Sequence, residues 1–150
     1  MKIFIAADHA GFTKKNELIK KLEKHYDIYD MGPYALNPGD DYPIYASKVA
    51  IAVSQNQGAM GILLCKSGEG MAIAANKVAG IRAATVGNKL VARETRQDNN
   101  SNILSLSAED LSSNEVYEVA TTWLTTPFSE LARHKRRINE IEKIEKGIEL

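Results

Sequence analysis

Hydrophobic positions follow two different periods along the chain. Short apolar runs, of which Gly61–Leu64 is the most continuous, are typical of strands that are buried on both faces of a sheet. Other stretches repeat apolar residues three and four positions apart, as at Ala46, Val49, Ala50 and Val53, which is the period of an amphipathic helix. The sequence therefore predicts strands that alternate with helices.

The apolar runs predict five strands, at about residues 3–7, 26–29, 61–64, 81–86 and 103–106. Helices are predicted at about residues 12–24, 46–53, 71–76, 89–96, 116–124 and 129–146. This alternation favours an α/β fold, a Rossmann-like three-layer sandwich with a parallel sheet of about five strands. Because no internal repeat or linker interrupts the pattern, we expect one domain over residues 1–150.

The last predicted helix, at about residues 129–146, is polar on most of its sides. Its apolar positions form a narrow stripe of Ile138, Ile141, Ile144 and Ile148. A narrow stripe offers little surface to the core of its own chain. We therefore expect this helix to pack on a partner subunit.

Composition and charge narrow the classes of protein. Of the 150 residues, 44% are hydrophobic and 25% are charged, as in ordinary globular proteins. The 19 basic and 19 acidic side chains cancel, whereas a dedicated nucleic-acid binder carries a basic excess. No apolar run approaches the roughly 20 residues of a membrane span. The single cysteine excludes an internal disulfide and fits a reducing compartment. We expect a cytoplasmic protein with no nucleic-acid or membrane partner.

Candidate chemistry follows two of the predicted strands. In an open parallel sheet, ligands bind beyond the carboxyl ends of the strands. The first strand leads into Asp8-His9-Ala10-Gly11, and the third leads into Cys65-Lys66-Ser67-Gly68-Glu69-Gly70. Both segments are expected at the same edge of the sheet.

Cys65 stands between a buried strand and a glycine-rich turn that opens a helix. Free backbone N–H groups at such a place favour a thiolate and can hold an anion. Alternatively, Cys65 is a small buried apolar residue. The turn Gly68-Glu69-Gly70 matches neither the dinucleotide-binding fingerprint nor the P-loop. It is either a cradle for an oxyanion or phosphate or a plain tight turn.

Two polar groups also have more than one interpretation. Asp8 and His9 are either a hydrogen-bonded pair that positions a hydroxyl or carries a proton, or a helix cap beside an incidental histidine. Arg133 and Arg137 lie four positions apart in a basic cluster and would share one helix face. That pair suits a phosphate group, but the cluster also fits nucleic-acid contact or the solvated face of a helix.

Metal chemistry is not indicated by the sequence. The three histidines, His9, His25 and His134, have no ligand-like spacing, and there is no second cysteine. We expect a protein without a metal or another cofactor.

An ordered set of motifs resembles one enzyme family over nearly the whole chain. The motifs are Asp8-His9-Ala10-Gly11, Asp41-Tyr42-Pro43, Gly61-Ile62-Leu63-Leu64-Cys65 with the glycine-rich turn, Ala74-Ala75-Asn76-Lys77, Gly80-Ile81-Arg82-Ala83, and Arg133-His134 with Arg137. Together they resemble the ribose-5-phosphate isomerase B family, which includes the galactose-6-phosphate isomerase subunits. The resemblance implies metal- and cofactor-free interconversion of aldose and ketose phosphosugars. It also implies a homodimer, or a tetramer, with sites at the subunit interface.

The resemblance assigns chemical roles to the glycine-rich segment. It implies that Cys65 is the base that moves a proton between C1 and C2 through an enediolate. Ser67, where the family usually has threonine, would keep the hydroxyl that helps to open the sugar ring. The backbone N–H groups of the turn would stabilise the enediolate oxygen. The turn's substrate-binding residues would be Lys66, Gly68, Glu69 and Gly70.

Substrate contacts outside the turn are also implied by the resemblance. Asp8, His9 and Tyr42 would contact the sugar or its phosphate. Asn99 would contact a sugar hydroxyl. Arg133 and Arg137 would hold the phosphate.

The chain departs from the family pattern at functional positions. Asp98 stands where the family commonly has the histidine credited with ring opening, so we expect Asp98 to act there, with His9 or His134 as substitutes. Glu109 stands where a phosphate-binding arginine is common. Lys66 and Glu69 replace smaller residues in the turn. The departures at Asp98 and Glu109 leave open a hexose phosphate or an unphosphorylated sugar as substrate. A non-catalytic sugar-phosphate-binding relative is a further alternative, against which the intact Cys65 and the arginine pair count.

Overall fold

A computed structural model describes residues 1–150. Five parallel strands form one sheet in the order β2-β1-β3-β5-β4. Their bounds are β1 Lys2–Ala7, β2 Asp27–Asp30, β3 Met60–Cys65, β4 Ala83–Thr85 and β5 Ile103–Ser107. The predicted Rossmann-like α/β architecture with about five parallel strands is confirmed.

Six helices connect or follow the strands. Their bounds are α1 Phe12–Leu22, α2 Tyr42–Gln55, α3 Glu69–Ala75, α4 Lys89–Asn99, α5 Ser113–Thr125 and α6 Ala132–Glu145. Each of these helices is too short or too polar to serve as a transmembrane span.

Two predicted boundaries are wrong for local physical reasons. The fourth strand begins at Ala83 rather than Ile81, because Ile81 is buried against α2 and α3 before the chain pairs with β5. The last helix begins at Ala132 rather than at residue 129. Before it, Glu130 adopts a left-handed backbone conformation (φ 61°), which a helix cannot contain.

The sheet is covered on both faces, and each face has its own apolar core. On one face, β-strand side chains such as Ile5 and Ile62 pack with Leu18 of α1 and Trp123 of α5. On the other face, Phe4, Leu63 and Cys65 pack with α2 and α3. Each successive strand residue points to the opposite face. Leu64 and Cys65 therefore belong to different cores, and the cysteine side chain lies on the α2–α3 side.

The direction in which successive strands are added to the sheet reverses between β1 and β3. From β1 the chain moves outward to β2 and then returns to place β3 on the other side of β1. In open α/β sheets, the crevice beyond the carboxyl ends of such strands is where ligands bind. The residues that follow β1 and β3 therefore occupy the expected binding position.

Candidate active site

The segments after β1 and β3 meet at this crevice, as predicted. The N–H group of Asp8 donates to the carbonyl oxygen of Leu64 at 3.1 Å, which ties the first residue after β1 to the end of β3. Asp8 is 6% exposed, and its Oδ1 accepts the N–H groups of Ala10 and Gly11. Its Oδ2 has no partner within the chain and is not sealed from solvent. One carboxylate oxygen is thus left to accept a hydrogen bond from a ligand.

Cys65 ends β3 and lies beneath the glycine-rich turn. Its side chain is buried, as the alternative interpretation expects, but its Sγ accepts the N–H group of Gly68 at 3.1 Å. Gly68 has a φ of 84°, a left-handed conformation that glycine adopts without strain, and it aims that N–H at the sulfur. This hydrogen bond holds the sulfur directly against the backbone of the turn.

Several N–H groups of the turn have no acceptor within the chain. Those of Gly68 and Glu69 donate to Cys65 Sγ and Ser67 Oγ, whereas those of Ser67 and Gly70 donate to nothing. Free N–H groups beside the Cys65 sulfur form an arrangement that is able to stabilise an oxyanion.

Tyr42 reaches the same turn from the start of α2. A Cβ atom added to Gly70 would lie 2.7 Å from Tyr42 Cζ, so the tyrosine ring packs directly on the backbone at Gly70. Tyr42 itself is 41% exposed. The ring therefore forms a wall of the crevice, and Gly70 is required for that close approach.

His9 is held by a residue that sequence reasoning did not select. The oxygen Oδ1 of Asp40 lies 2.7 Å from His9 Nδ1 and also accepts the backbone N–H of His9 at 3.0 Å. The hydrogen bond to Asp40 raises the pKa of His9 above its usual 6.5, against a smaller effect of desolvation. Asp40 lies in a loop rich in polar residues, and no spacing in the sequence relates it to His9.

The charged side chains around the glycine-rich turn are mostly acidic. Lys66 Nζ lies 3.8 Å from Glu109 Oε1, and both side chains are largely exposed. Glu69 accepts a hydrogen bond from Thr85 at 3.3 Å. A cavity of about 420 Å³ flanks the turn, and its lining includes Ser67, Glu69, Asp110 and Glu115. This edge of a single chain offers no arginine to a phosphate group.

Asp98 and Asn99 lie at the opposite edge of the sheet. They form the end of α4, which begins after the carboxyl end of β4 and finishes before the amino end of β5. The 11 residues of α4 span roughly 16 Å along its axis. Both residues are exposed. They are therefore separated from Cys65 of the same chain by the length of the sheet.

The start of α6 lies beside Asp98. His134 is 4% exposed, its Nδ1 lies 2.7 Å from Ser129 Oγ and 3.6 Å from Asp98 Oδ1, and its Nε2 accepts a hydrogen bond from Arg133. A neutral His134 therefore carries its proton on Nδ1, because Nε2 acts as an acceptor.

Arg133 and Arg137 differ from the rest of the basic cluster. Lys135 and Arg136 form ion pairs with glutamates, whereas Arg133 and Arg137 have no acidic partner in the chain. Both are exposed and lie four positions apart on α6. The structure thus divides the predicted site residues into a carboxyl-edge group, with Asp8, His9, Tyr42 and residues 65–70, and an amino-edge group, with Asp98, Asn99, Arg133 and Arg137.

Comparison with known proteins gives a consistent family relationship. The family model described as Ribose/Galactose Isomerase matches residues 3–141. The chain is 40% identical over 149 residues to a probable ribose-5-phosphate isomerase B of Mycoplasma genitalium, covering 98% of this chain and 97% of the relative. It is 37% identical to ribose-5-phosphate isomerase B of Escherichia coli, covering 96% of each chain.

Solved structures show the same architecture. The crystal structure of ribose-5-phosphate isomerase B from Mycoplasma genitalium with bound ribulose-5-phosphate superposes with a TM-score of 0.93 at 39% identity, covering 97% of this chain and 96% of that one. The ribose-5-phosphate isomerase B of Clostridium thermocellum superposes with a TM-score of 0.94 at 40% identity, covering 98% of this chain and 99% of that one.

Proposed function

The chain belongs to the ribose/galactose isomerase family, and we propose that it interconverts ribose 5-phosphate and ribulose 5-phosphate without a metal or cofactor. The observation that carries this proposal is the buried sulfur of Cys65 beneath a turn with free N–H groups. Aldose–ketose isomerisation needs a base beside the reacting carbons and donors for an enediolate oxygen, and this turn supplies both.

Cys65 acts as the base in this mechanism. Its thiolate removes the proton from C2 of the open-chain aldose, and the electron pair moves into an enediolate. The N–H groups of Ser67 and Gly70 hold the oxygen on which negative charge develops. The sulfur returns the proton to C1 while the hydroxyl proton of O2 passes to O1, which completes the ketose.

Other residues of the carboxyl-edge group orient the sugar. The free Oδ2 of Asp8 accepts a sugar hydroxyl, and the ring of Tyr42 packs against the substrate. The ring-opening step uses the carboxylate of Asp98 as a proton acceptor, and the Ser67 hydroxyl assists it by holding the sugar. Asn99 contacts a further hydroxyl. Because Asp98 and Asn99 lie at the far edge of the same chain, a second copy must supply them.

Phosphate binding also requires a second copy. The carboxyl-edge group of one chain is acidic, and the arginines without acidic partners lie on α6 at the other edge. A homodimer in which α6 of one copy faces the turn of the other joins Arg133 and Arg137 to Cys65. A tetramer would contain two such pairs. The guanidinium fork then binds the phosphate at a distance from the reacting carbons.

Mixing two inactive variants tests this arrangement. Cys65→Ala damages the carboxyl-edge group, and Arg137→Ala damages the amino-edge group. After the two variants are unfolded and refolded together in equal amounts, half of the dimers are mixed and each mixed dimer holds one intact site. Activity should return to about a quarter of the wild-type value. If mixed dimers are detected by their mass but have no activity, the proposal of a site shared between copies is contradicted.

A different substrate is favoured by one observation, the carboxylate of Glu109 beside the turn. A carboxylate repels phosphate, so an unphosphorylated sugar is the second candidate. A panel of pentoses, pentose phosphates and hexose phosphates, assayed for aldose–ketose conversion, decides between them. Binding of an enediolate-mimicking hydroxamate without turnover of any sugar would instead indicate a non-catalytic relative.

A further inference from the structure

The carboxylate of Asp40 is unusually well enclosed for a loop residue. Its side chain is 3% exposed, whereas the His9 side chain that it contacts is 41% exposed. A single oxygen, Oδ1, contacts both Nδ1 and the backbone N–H of His9. Two contacts to one oxygen fix both the position of the His9 backbone and the orientation of its ring.

The loop that carries Asp40 is anchored from inside the protein. Lys15, which is fully buried on α1, donates to both carboxylate oxygens of Asp30 and to the carbonyl oxygen of Pro33. The N–H group of Asp40 donates to the carbonyl oxygen of Asn37 at 3.1 Å. The carboxylate is therefore placed before any ligand arrives.

The second oxygen of Asp40, Oδ2, is also buried. A buried carboxylate is costly unless it is paired, so the charge of Asp40 depends on the groups around it. Burial, together with the negative charge of Asp40 and a hydrogen bond to its carboxylate, raises the pKa of the nearby Tyr45 phenol, which therefore stays neutral. His9 is left as the cation that balances Asp40.

We infer that Asp40 is a positioning residue that holds His9 as an imidazolium, with Nε2–H turned to the sugar as the acid that opens its ring. This inference rests on the proposed function. Nδ1 is occupied by Asp40, and Nε2 has no partner within the chain. His9 is the one histidine of the carboxyl-edge group, and Asp98 stands where the family resemblance places the ring-opening histidine.

The ring-opening step balances with these groups. The proton of the anomeric hydroxyl passes to the Asp98 carboxylate supplied by the second copy. The bond between C1 and the ring oxygen breaks, and the ring oxygen takes the proton from His9 Nε2. The products are the open-chain aldehyde, a neutral imidazole and a carboxylic acid, which exchange protons with solvent before the next turnover.

The charges around His9 set the expected pH dependence. Asp40 comes from the loop before α2, Asp8 comes from the segment after β1, and both favour the protonated ring. Because the acid form is needed, activity on the cyclic aldose is lost as the pH rises through the pKa of His9. Asp40→Asn removes the main cause of the raised pKa, so this loss should move to lower pH.

The experiment compares a cyclic with a non-cyclic aldose phosphate. In Asp40→Asn, kcat on ribose 5-phosphate should fall on the order of 10- to 100-fold. Turnover of an aldotetrose 4-phosphate, whose phosphorylated O4 cannot close a ring, should change little. Proton NMR should show a lower pKa for His9 in this variant, and Asp40→Glu should restore part of the activity. Asp27→Asn is the matched control, since Asp27 accepts a hydrogen bond from Tyr29 at a distant strand.

The outcomes separate this inference from the proposed function. Wild-type protein that converts no ribose 5-phosphate contradicts the proposed function and this inference with it. Wild-type turnover with equal losses on both substrates in Asp40→Asn, or with an unmoved pH profile, contradicts the role of Asp40 alone. Thermal melting identifies a variant that has merely lost its fold, and in that case Asp40→Glu and the pH profile of His9→Gln decide the question.

Discussion

The charge at Glu109 gives the most direct test of what this site binds. The backbone at Glu109 is fixed against the glycine-rich turn, because Ala108 N–H donates to the carbonyl oxygen of Cys65 at 2.8 Å and Glu109 N–H donates to that of Lys66 at 3.1 Å. A side chain at position 109 therefore projects beside the turn whatever its identity. Changing its charge alters the electrostatic potential at the site without altering the fold.

The expected magnitudes form a series. The ion pair between Lys66 and Glu109 is exposed at both ends and is worth about 0–1 kcal/mol, so Glu109→Gln costs little stability and leaves Lys66 free to attract phosphate. We expect KM for ribose 5-phosphate to fall by about two- to fivefold. Glu109→Arg adds a charge-assisted contact of about 1.5–3 kcal/mol, which corresponds to a decrease of roughly 10- to 150-fold.

The assay compares ribose 5-phosphate with free ribose at two ionic strengths. Only the phosphorylated sugar should respond to the charge at position 109, and the response should weaken in high salt. Glu118→Gln is the matched control, because Glu118 forms an exposed ion pair with Lys89 away from the turn. If Glu109→Arg has no effect, and Arg133→Ala and Arg137→Ala are also harmless, phosphate is not recognised and an unphosphorylated substrate becomes the better proposal.

Three further predictions concern the base, the absence of a metal requirement, and the buried lysine. Cys65→Ala should abolish isomerisation while the Kd for substrate, measured by calorimetry, stays within about tenfold; substantial remaining turnover would remove Cys65 as the base. Because every proposed proton transfer uses a side chain, the rate should be unchanged in EDTA, and a loss that a divalent ion restores would overturn the mechanism. Asp30→Ala leaves the buried ammonium of Lys15 without its carboxylate. The free energy of unfolding should fall by about 2–4 kcal/mol, which corresponds to a decrease of roughly 5–15 °C in Tm. An unchanged Tm in calorimetry would contradict this prediction.

The sequence predicted the elements better than their arrangement. The apolar run Gly61–Leu64 identified the central strand because all six residues of β3 are buried, and a buried strand needs no polar alternation. The edge strands β2 and β4 are only half buried, so their limits were less well predicted. The order β2-β1-β3-β5-β4 depends on crossovers that leave no local pattern in the sequence.

The carboxyl-edge group was predictable because fold rules place strand ends together. Asp8 and Cys65 each follow an apolar run directly, so their proximity follows from the parallel sheet. Asp40 had no such signal, because its contact with His9 spans 31 residues and depends on the path of a loop. Loop paths are set by tertiary anchors such as Lys15, which a pattern of helices and strands does not contain.

The separation of the two predicted groups explains why the basic cluster was ambiguous from the sequence. A helix with exposed arginines has the same sequence pattern whether it faces solvent or a partner subunit. The structure adds that Lys135 and Arg136 have glutamate partners, whereas Arg133 and Arg137 do not. The formal net charge of the chain is zero, but its acidic groups and the basic groups without acidic partners lie at opposite edges of the sheet. The acidic edge of one copy is therefore electrostatically complementary to the basic edge of another copy. In the proposed homodimer, α6 of one copy would supply the positive charge that the glycine-rich turn of the other copy lacks.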